Sequence, residues 1–155
     1  MQELVSQSDL VALVEVVGQS TRFDARGRVV TDVRLRIEDA MRGDVSSGDE
    51  VVMVRFGGAV GDIGMRIEGE PAFVDGTRYL VFGRRWQGVY RPVGMSQGVL
   101  RVDRDARGER VLPGGGGLSL VRRTSEGRVV PAAAAMLRPR SLDAVVGEIR
   151  DLLAR

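Results

Sequence analysis

Residues 10–17 read LVALVEVV, an almost unbroken apolar run in which β-branched valine dominates. Such a run predicts a strand buried on both faces, as in a barrel. A strand with one solvent-exposed face would instead alternate polar and apolar residues. Gly18 is expected to end this strand. Residues 29–41, VVTDVRLRIEDAM, alternate cleanly and predict the next strand, half-buried and connected to the first by a turn at 24–27.

Outward from these two strands the pattern stays β-like. Further short strands are predicted at 50–56, 78–82, 89–93 and 99–102. Residues 141–154 instead place apolar residues at helical spacing behind Ser141, a favourable N-cap residue. We therefore expect one mainly β domain over residues 1–155, a small OB-like β-barrel. It comprises a core barrel at about 9–103, a weaker hairpin region at about 104–131 and a C-terminal amphipathic helix at about 141–154.

The composition excludes several kinds of chemistry. All 23 basic residues are Arg, and the 155-residue chain has no Lys, His or Cys and a formal net charge of +2. A thiol nucleophile, an imidazole base and a Schiff-base lysine are therefore excluded. Carboxylates, hydroxyls, Arg and backbone amides remain, so we expect no enzyme, no catalytic residues and no cofactor, with a carboxylate-based hydrolase as the further alternative.

The Gly-rich segment 57–71 is the first candidate binding site, because its glycines let the backbone approach a ligand closely. The residues singled out there are Gly57, Gly58, Asp62, Arg66, Glu68 and Glu70. The competing interpretation is a β-bulge or wide turn in which glycine serves geometry alone. The acidic residues lack the dense alternating spacing of a calcium loop, so no metal site is predicted.

A second candidate site follows at residues 83–88, which are predicted to form a turn. Arg84, Arg85 and Trp86 make this turn basic and aromatic, which on an OB-type barrel favours stacking on a base and contact with phosphate. Gln97, in the Gly-rich turn 94–98, is a further possible contact. The competing interpretation is a plain exposed hairpin, because single-strand binders use several stacking aromatics and only 5% of this chain is aromatic.

Several short motifs recur in a fixed order along the chain. They are Ser8-Asp9 before the first strand, Arg42-Gly43, Gly57-Gly58, Gly64-Met65, Glu70-Pro71-Ala72-Phe73, Gly76-x-x-Tyr79-Leu80-Val81-Phe82 and Gln97-Gly98-x-Leu100-Arg101-Val102. In these the chain resembles a group of exported small β-barrel proteins of myxobacteria and related GC-rich bacteria. The resemblance covers about residues 4–102 and the closing helix. It implies export to the cell envelope and assigns no activity.

More distantly, the early part of the chain resembles the netrin-like OB-fold modules of metalloproteinase inhibitors. Those modules depend on a cysteine framework and an N-terminal cysteine that binds the protease metal. This chain has no cysteine, so only the fold analogy carries over.

Together these observations favour a non-catalytic binding module of the cell envelope or of the secreted fraction. We expect a protein partner at the Gly-rich segment, and the oligomeric state stays open. An OB-fold nucleic-acid-binding module is the alternative, although the low aromatic content disfavours it. No apolar stretch is long enough to span a membrane. No signal peptide is visible after Met1, and the lack of cysteine is equally compatible with the periplasm and the cytoplasm.

Overall fold

The computed structural model describes residues 1–113, 121–131 and 138–155. Within the weaker hairpin region predicted at about 104–131, residues 114–120, which include the Gly-rich run 114–117, lie outside the described residues. The elements, in chain order, are α1 (Gln2–Ser6), β1 (Leu10–Phe23), β2 (Val29–Arg42), β3 (Glu50–Phe56), β4 (Gly58–Val60), β5 (Ile63–Met65), β6 (Arg78–Trp86), β7 (Val89–Pro92), a 3₁₀ turn (Met95–Gly98), β8 (Val99–Asp105), β9 (Gly108–Pro113), β10 (Val121–Arg123), β11 (Val129–Pro131), β12 (Arg140–Ser141) and α2 (Leu142–Ala154).

Five strands form a partly closed ring. β1 pairs with β2, β2 with β3, and β6 with both β7 and β1, all antiparallel. The ring closes between β3 and β7, which run parallel and pair through Met53 and Tyr90. β8, β9 and β12 extend the same sheet outward from β6. The expected mainly β, barrel-like fold with a C-terminal helix is confirmed, and its five-stranded, partly closed ring resembles that of OB-type barrels.

The first hydrophobic core fills the ring. Alternate residues of β1, β2 and β6 point inward and are buried, such as Val14, Leu35 and Tyr79. Tyr79 packs edge-on against Phe73, with ring centroids 5.1 Å apart. Phe73 belongs to the connection between β5 and β6, so this long connection contributes to the interior of the barrel.

A second core lies on the outside of β1 and β6. Val11 and Phe82 face outward there and pack in one cluster with Val145 and Ile149 of α2. The helix begins where the sequence predicts, and the Ser141 hydroxyl accepts a hydrogen bond from the Ala144 backbone N–H. β1 is thus buried on both faces, as its unbroken apolar run indicates.

Two glycines predicted to lie at strand ends are inside strands instead. β1 continues through Gly18 to Phe23 with a shift of register beside this glycine. A Cβ at Gly18 would lie 2.5 Å from Arg34 Nη2, so the glycine makes room for a guanidinium instead of ending the strand. β6 likewise continues through Gly83, which packs tightly against Met53 and Tyr90. Arg84, Arg85 and Trp86 therefore belong to a strand, and the turn is only Gln87-Gly88.

Candidate functional site

A cleft lies between two turns of the ring. One wall is the β1–β2 turn, the other is the β6–β7 turn, and the floor is the outer face of β2 and β3. Its volume is about 460 Å³, and we call it the first cleft. It is lined by Arg22, Asp24, Ala25, Arg26, Arg28, Val30, Val54, Phe56, Trp86, Gln87, Val89 and Arg91.

Phe56 is the centre of the floor, and two guanidinium groups lie over it. The Arg28 guanidinium carbon is 4.5 Å and that of Arg91 3.9 Å from the centroid of the ring. Arg91 is also 6.0 Å from the ring centroid of Trp86. An aromatic face attracts a cation through its quadrupole. This attraction and the hydrogen bonds to Asp24 and Glu70 therefore hold both guanidiniums at the ring.

Asp24 organises the β1–β2 turn. Its Oδ1 accepts hydrogen bonds from the backbone N–H groups of Arg26 (2.9 Å) and Arg28 (2.8 Å), and its Oδ2 accepts one from Arg28 Nε (2.8 Å). Burial opposes ionisation of Asp24, but these bonds prevail and lower the pKa of its carboxyl group. The charged carboxylate thus holds the turn closed and orients Arg28 over Phe56.

Glu70 connects the Gly-rich segment to the first cleft. Its Oε1 accepts a hydrogen bond from Arg91 Nη2 (3.0 Å), and its Oε2 accepts one from the Phe56 backbone N–H (3.0 Å). Only 4% of the Glu70 side chain is exposed. Arg55 lies in the same region, and its Nε is buried without a hydrogen-bond partner in the described structure. Burial lowers the pKa of Arg55, with the Glu70 charge opposing that shift.

The first cleft and the carboxylates paired with its arginines carry an excess of one positive charge, that of Arg26. Four arginines and one aspartate line the cleft. Arg22 pairs with Asp32 at 2.7 Å, and Arg28 and Arg91 pair with Asp24 and Glu70 as described. Arg26, which is exposed, has no carboxylate within 4.0 Å among residues 1–113, 121–131 and 138–155. The arrangement therefore suits an anionic group, which a guanidinium binds through paired hydrogen bonds.

Gly57 and Gly58 serve the geometry of the barrel. Both have positive φ, 93° and 125°, and a Cβ on Gly58 would lie 2.6 Å from Thr31 Oγ1. The Thr31 hydroxyl donates to the Gly57 carbonyl oxygen (2.8 Å), and the Thr21 hydroxyl donates to that of Ala59 (2.5 Å). These contacts fix the start of the Gly-rich segment on β1 and β2. Neither glycine lines the first cleft.

Other residues of the predicted sites are dispersed. Asp62, Arg66 and Glu68 are exposed along the Gly-rich segment, outside the first cleft. Gln97 is exposed on the 3₁₀ turn. Of the candidates in the Gly-rich segment, only Glu70 contacts the cleft, through Arg91 and Phe56.

The predicted basic and aromatic group lies at the end of β6. Trp86 lines the first cleft, and Arg84, Arg85 and Trp86 together line a second cleft on the other side of the β6–β7 hairpin. Sequence reasoning missed Phe56, Arg91 and Arg28, which complete the group. The sequence places these residues at or near the ends of strands and on their outward faces, which could have drawn attention to them. That Phe56 and Arg91 are in contact follows only from the pairing of β3 with β7, which closes the ring.

Two carboxylates converge at one place outside the clefts. Arg78 Nε donates to Glu38 Oε2 at 2.9 Å, and Arg78 Nη1 binds Glu109 Oε1. The hydrogen bond from Arg78 is the main cause of a lowered pKa of Glu109. A general acid needs a raised pKa. This trio is therefore an ion-pair network that joins β2, β6 and β9, and it does not match the hydrolase alternative.

Within the described ranges, no cluster of three or more acidic side chains is arranged to hold a metal ion. No helix described here has the length and apolar character needed to cross a membrane. Comparisons with family models, curated proteins and solved structures found no match to this chain.

Proposed function

We propose that this protein is a non-catalytic binding module that takes an anionic ligand in the first cleft. The observation that carries this proposal is the pair of guanidiniums, Arg28 and Arg91, held over Phe56 in a cleft lined by four arginines and one aspartate. Guanidiniums that are already held in position lose little side-chain entropy when they form hydrogen bonds to a carboxylate or phosphate.

The position of the cleft supports the same function. On OB-type barrels, ligands bind on the face of the second and third strands, between the turn that joins strands one and two and the turn that joins strands four and five. Here β2 and β3 form the floor, and the walls are the β1–β2 turn and the β6–β7 turn, which joins the fourth and fifth strands of the ring. Fold position alone does not give function, so the charge of the lining is the stronger argument.

The only tryptophan of the chain lines the cleft, which makes the proposal simple to test. The emission of Trp86 is followed while inorganic polyphosphate or poly-L-glutamate is added at low salt. We expect a saturable change that weakens steeply as salt increases, because binding releases counterions. If neither polyanion changes the emission or binds by calorimetry at low salt, the proposal is wrong.

Two single variants locate the binding. Arg26→Ala removes the exposed cation of the cleft, and Arg104→Ala removes a cation near the end of β8, 78% exposed and outside the cleft. Both variants change the net charge equally. We expect Arg26→Ala to weaken binding about tenfold or more, roughly the strength of one charge-assisted hydrogen bond, and Arg104→Ala to leave it nearly unchanged. Equal losses would indicate non-specific attraction and would contradict a site in the cleft.

A protein partner at the Gly-rich segment remains the second candidate function, in the cell envelope or the secreted fraction. It is supported by large apolar side chains that are exposed to solvent. The exposed fraction is 57% for Ile63 and 37% for Ile67, both in the Gly-rich segment, and 38% for Met95. The Met95 Sδ and Cε lie 3.3–3.4 Å from the position of a Cβ on Gly69. Replacing Ile63 and Ile67 by Ser tests it, since these changes are expected to abolish partner binding without altering polyanion binding.

A further inference from the structure

A second cleft adjoins the first. It has a volume of about 260 Å³ and is lined by Gln7, Arg84, Arg85, Trp86, Arg91, Pro92, Val93 and Gly94. Of the described residues that line it, three are arginines and none is acidic. Trp86 and Arg91 line both clefts, so the Trp86 side chain lies at the boundary between them.

Two of the three arginines, Arg84 and Arg85, keep their charge available to a ligand, whereas Arg91 is paired with Glu70. Arg84 is held by neutral acceptors, the backbone carbonyl oxygen (3.3 Å) and the side-chain oxygen (3.4 Å) of Gln7. Arg85 Nη2 donates to the Tyr90 hydroxyl (3.4 Å), and its guanidinium lies 5.8 Å from the centroid of that ring. Both arginines are exposed, and neither forms a salt bridge with any residue that the structure describes.

A small anion fills one cleft and gains nothing from the other. A linear polymer can contact Arg26 in the first cleft, cross Trp86, and contact Arg84 and Arg85 in the second. Trp86 is half-buried, so part of its ring system is accessible at this crossing point. The ligand that best matches these features carries regularly spaced negative charges and flat rings.

We propose, on the basis of the binding function above, that the ligand is a single-stranded nucleic acid that crosses Trp86 from the first cleft to the second. Its phosphates contact arginines in both clefts, and one base stacks on Trp86. Binding of single strands combines a positively charged groove with aromatic rings on which bases stack. Poly-L-glutamate and acidic polysaccharides supply charge without an aromatic ring, so they gain nothing from base stacking on Trp86.

The test uses oligothymidylates of about 4, 8 and 16 nucleotides, which bracket the site sizes of OB-type folds. Binding is measured by Trp86 emission and by the anisotropy of a fluorescent label on the oligonucleotide. Poly-L-glutamate and heparin are the comparison polymers at matched charge. We expect strong quenching of Trp86 by oligothymidylate, affinity that increases with length until both clefts are occupied, and no comparable quenching by the other polymers.

Variants separate the two clefts. The double change Arg84→Ala and Arg85→Ala should lower the affinity for the longest oligonucleotide about tenfold or more and leave that for the shortest nearly unchanged. The slope of log affinity against log salt should fall by about 0.7 for each phosphate that the variant no longer binds. Trp86→Ala should cost tenfold or more, and Trp86→Phe should retain much of the affinity. Arg104→Ala is the control for the removal of a positive charge outside both clefts.

The outcomes distinguish this inference from the function on which it rests. If poly-L-glutamate or heparin binds and oligothymidylate does not, the nucleic-acid inference is wrong and the anion-binding function stands. If affinity does not depend on length and the change at Arg84 and Arg85 has no effect, the path across Trp86 is wrong. Circular dichroism of each variant shows whether a loss of binding reflects a loss of fold. If no polymer binds the folded wild-type chain, both proposals are wrong.

Discussion

Glu70 Oε1 and Arg91 Nη2 lie 3.0 Å apart, and this ion pair joins the Gly-rich segment to the first cleft. The same carboxylate accepts the backbone N–H of Phe56 through its other oxygen. Glu70 therefore already occupies part of the hydrogen-bonding capacity of Arg91. An anion that approaches Arg91 must share the guanidinium with Glu70, so the buried carboxylate limits the affinity of the cleft.

Replacing Glu70 by Gln should affect stability and binding in opposite directions. The amide oxygen can still accept the Phe56 N–H, but the charge that compensates Arg91 and Arg55 is removed. We expect the free energy of unfolding to fall by about 1–3 kcal/mol, as when a buried charge loses its partner. Polyanion affinity should increase, because Arg91 no longer pairs with a carboxylate. Urea unfolding and Trp86 titration measure the two effects.

Glu68→Gln is the matched control, since Glu68 is exposed on the same segment. It removes the same charge and should change stability by less than about 0.5 kcal/mol. Weaker polyanion binding by the Glu70→Gln variant would show that Glu70 positions Arg91 for the ligand and does not compete with it.

The Arg78 network should make stability depend on pH in the acid range. The hydrogen bond from Arg78 lowers the pKa of Glu109 in the folded chain below its ordinary value near 4.5. The unfolded state therefore binds the proton more readily than the folded state. The contribution of Glu109 is fully present above about pH 5 and is lost as the pH falls through the folded-state pKa.

Replacing Glu109 by Gln checks this dependence. The variant should have a lower Tm than the wild type at pH 7, and the difference should shrink as the pH falls below about 4. Glu126→Gln, at a side chain that is 69% exposed in the β10–β11 hairpin, is the control and should show little difference at either pH. If the difference in Tm between the wild type and the Glu109→Gln variant stays constant down to about pH 3, the charge of Glu109 does not have this role.

Gly98 is required by close packing and not by an unusual φ. A Cβ at this position would lie 2.1 Å from the carbonyl oxygen of Val93, a backbone atom that cannot move away by a change of rotamer. Gly98→Ala should therefore force β8 away from β6 and reduce the free energy of unfolding by about 3 kcal/mol or more. Thermal unfolding followed by circular dichroism measures the loss.

Gly64→Ala is the companion variant, because a Cβ on Gly64 meets no atom within 4 Å. It should stay within about 0.5 kcal/mol of the wild type. Similar stability of the two alanine variants would show that the Val93 carbonyl has room to move.

Much of the fold could be predicted from local pattern. The apolar run 10–17 indicates a strand with two buried faces. The alternation of polar and apolar residues over 29–41 indicates a strand with one buried face. The strand ends were less predictable, because the meaning of a glycine depends on distant atoms. Gly18 accommodates Arg34 from the neighbouring strand, and Gly83 packs against Met53 and Tyr90 across the ring.

The candidate site was only partly predictable, for the same reason. Arg84, Arg85 and Trp86 are consecutive, so composition alone draws attention to them. The Arg91 guanidinium lies 3.9 Å from the Phe56 ring centroid because β3 and β7 run parallel where the ring closes. No local sequence pattern predicts that contact. The Gly-rich segment was predicted as a site because of its glycines, but among its candidate residues only Glu70 contacts the first cleft.

The two buried faces of β1 and β6 also determine how the molecule opens. These strands form a wall shared by both hydrophobic cores, and β1 is hydrogen-bonded to β2 on one edge and to β6 on the other. Neither core can loosen without exposing that wall. The amide protons of residues 11–14 and 80–82 should therefore exchange with solvent deuterium only through global unfolding. The amide protons of Gln87 and Gly88, in the exposed β6–β7 turn, should exchange much faster, through local opening.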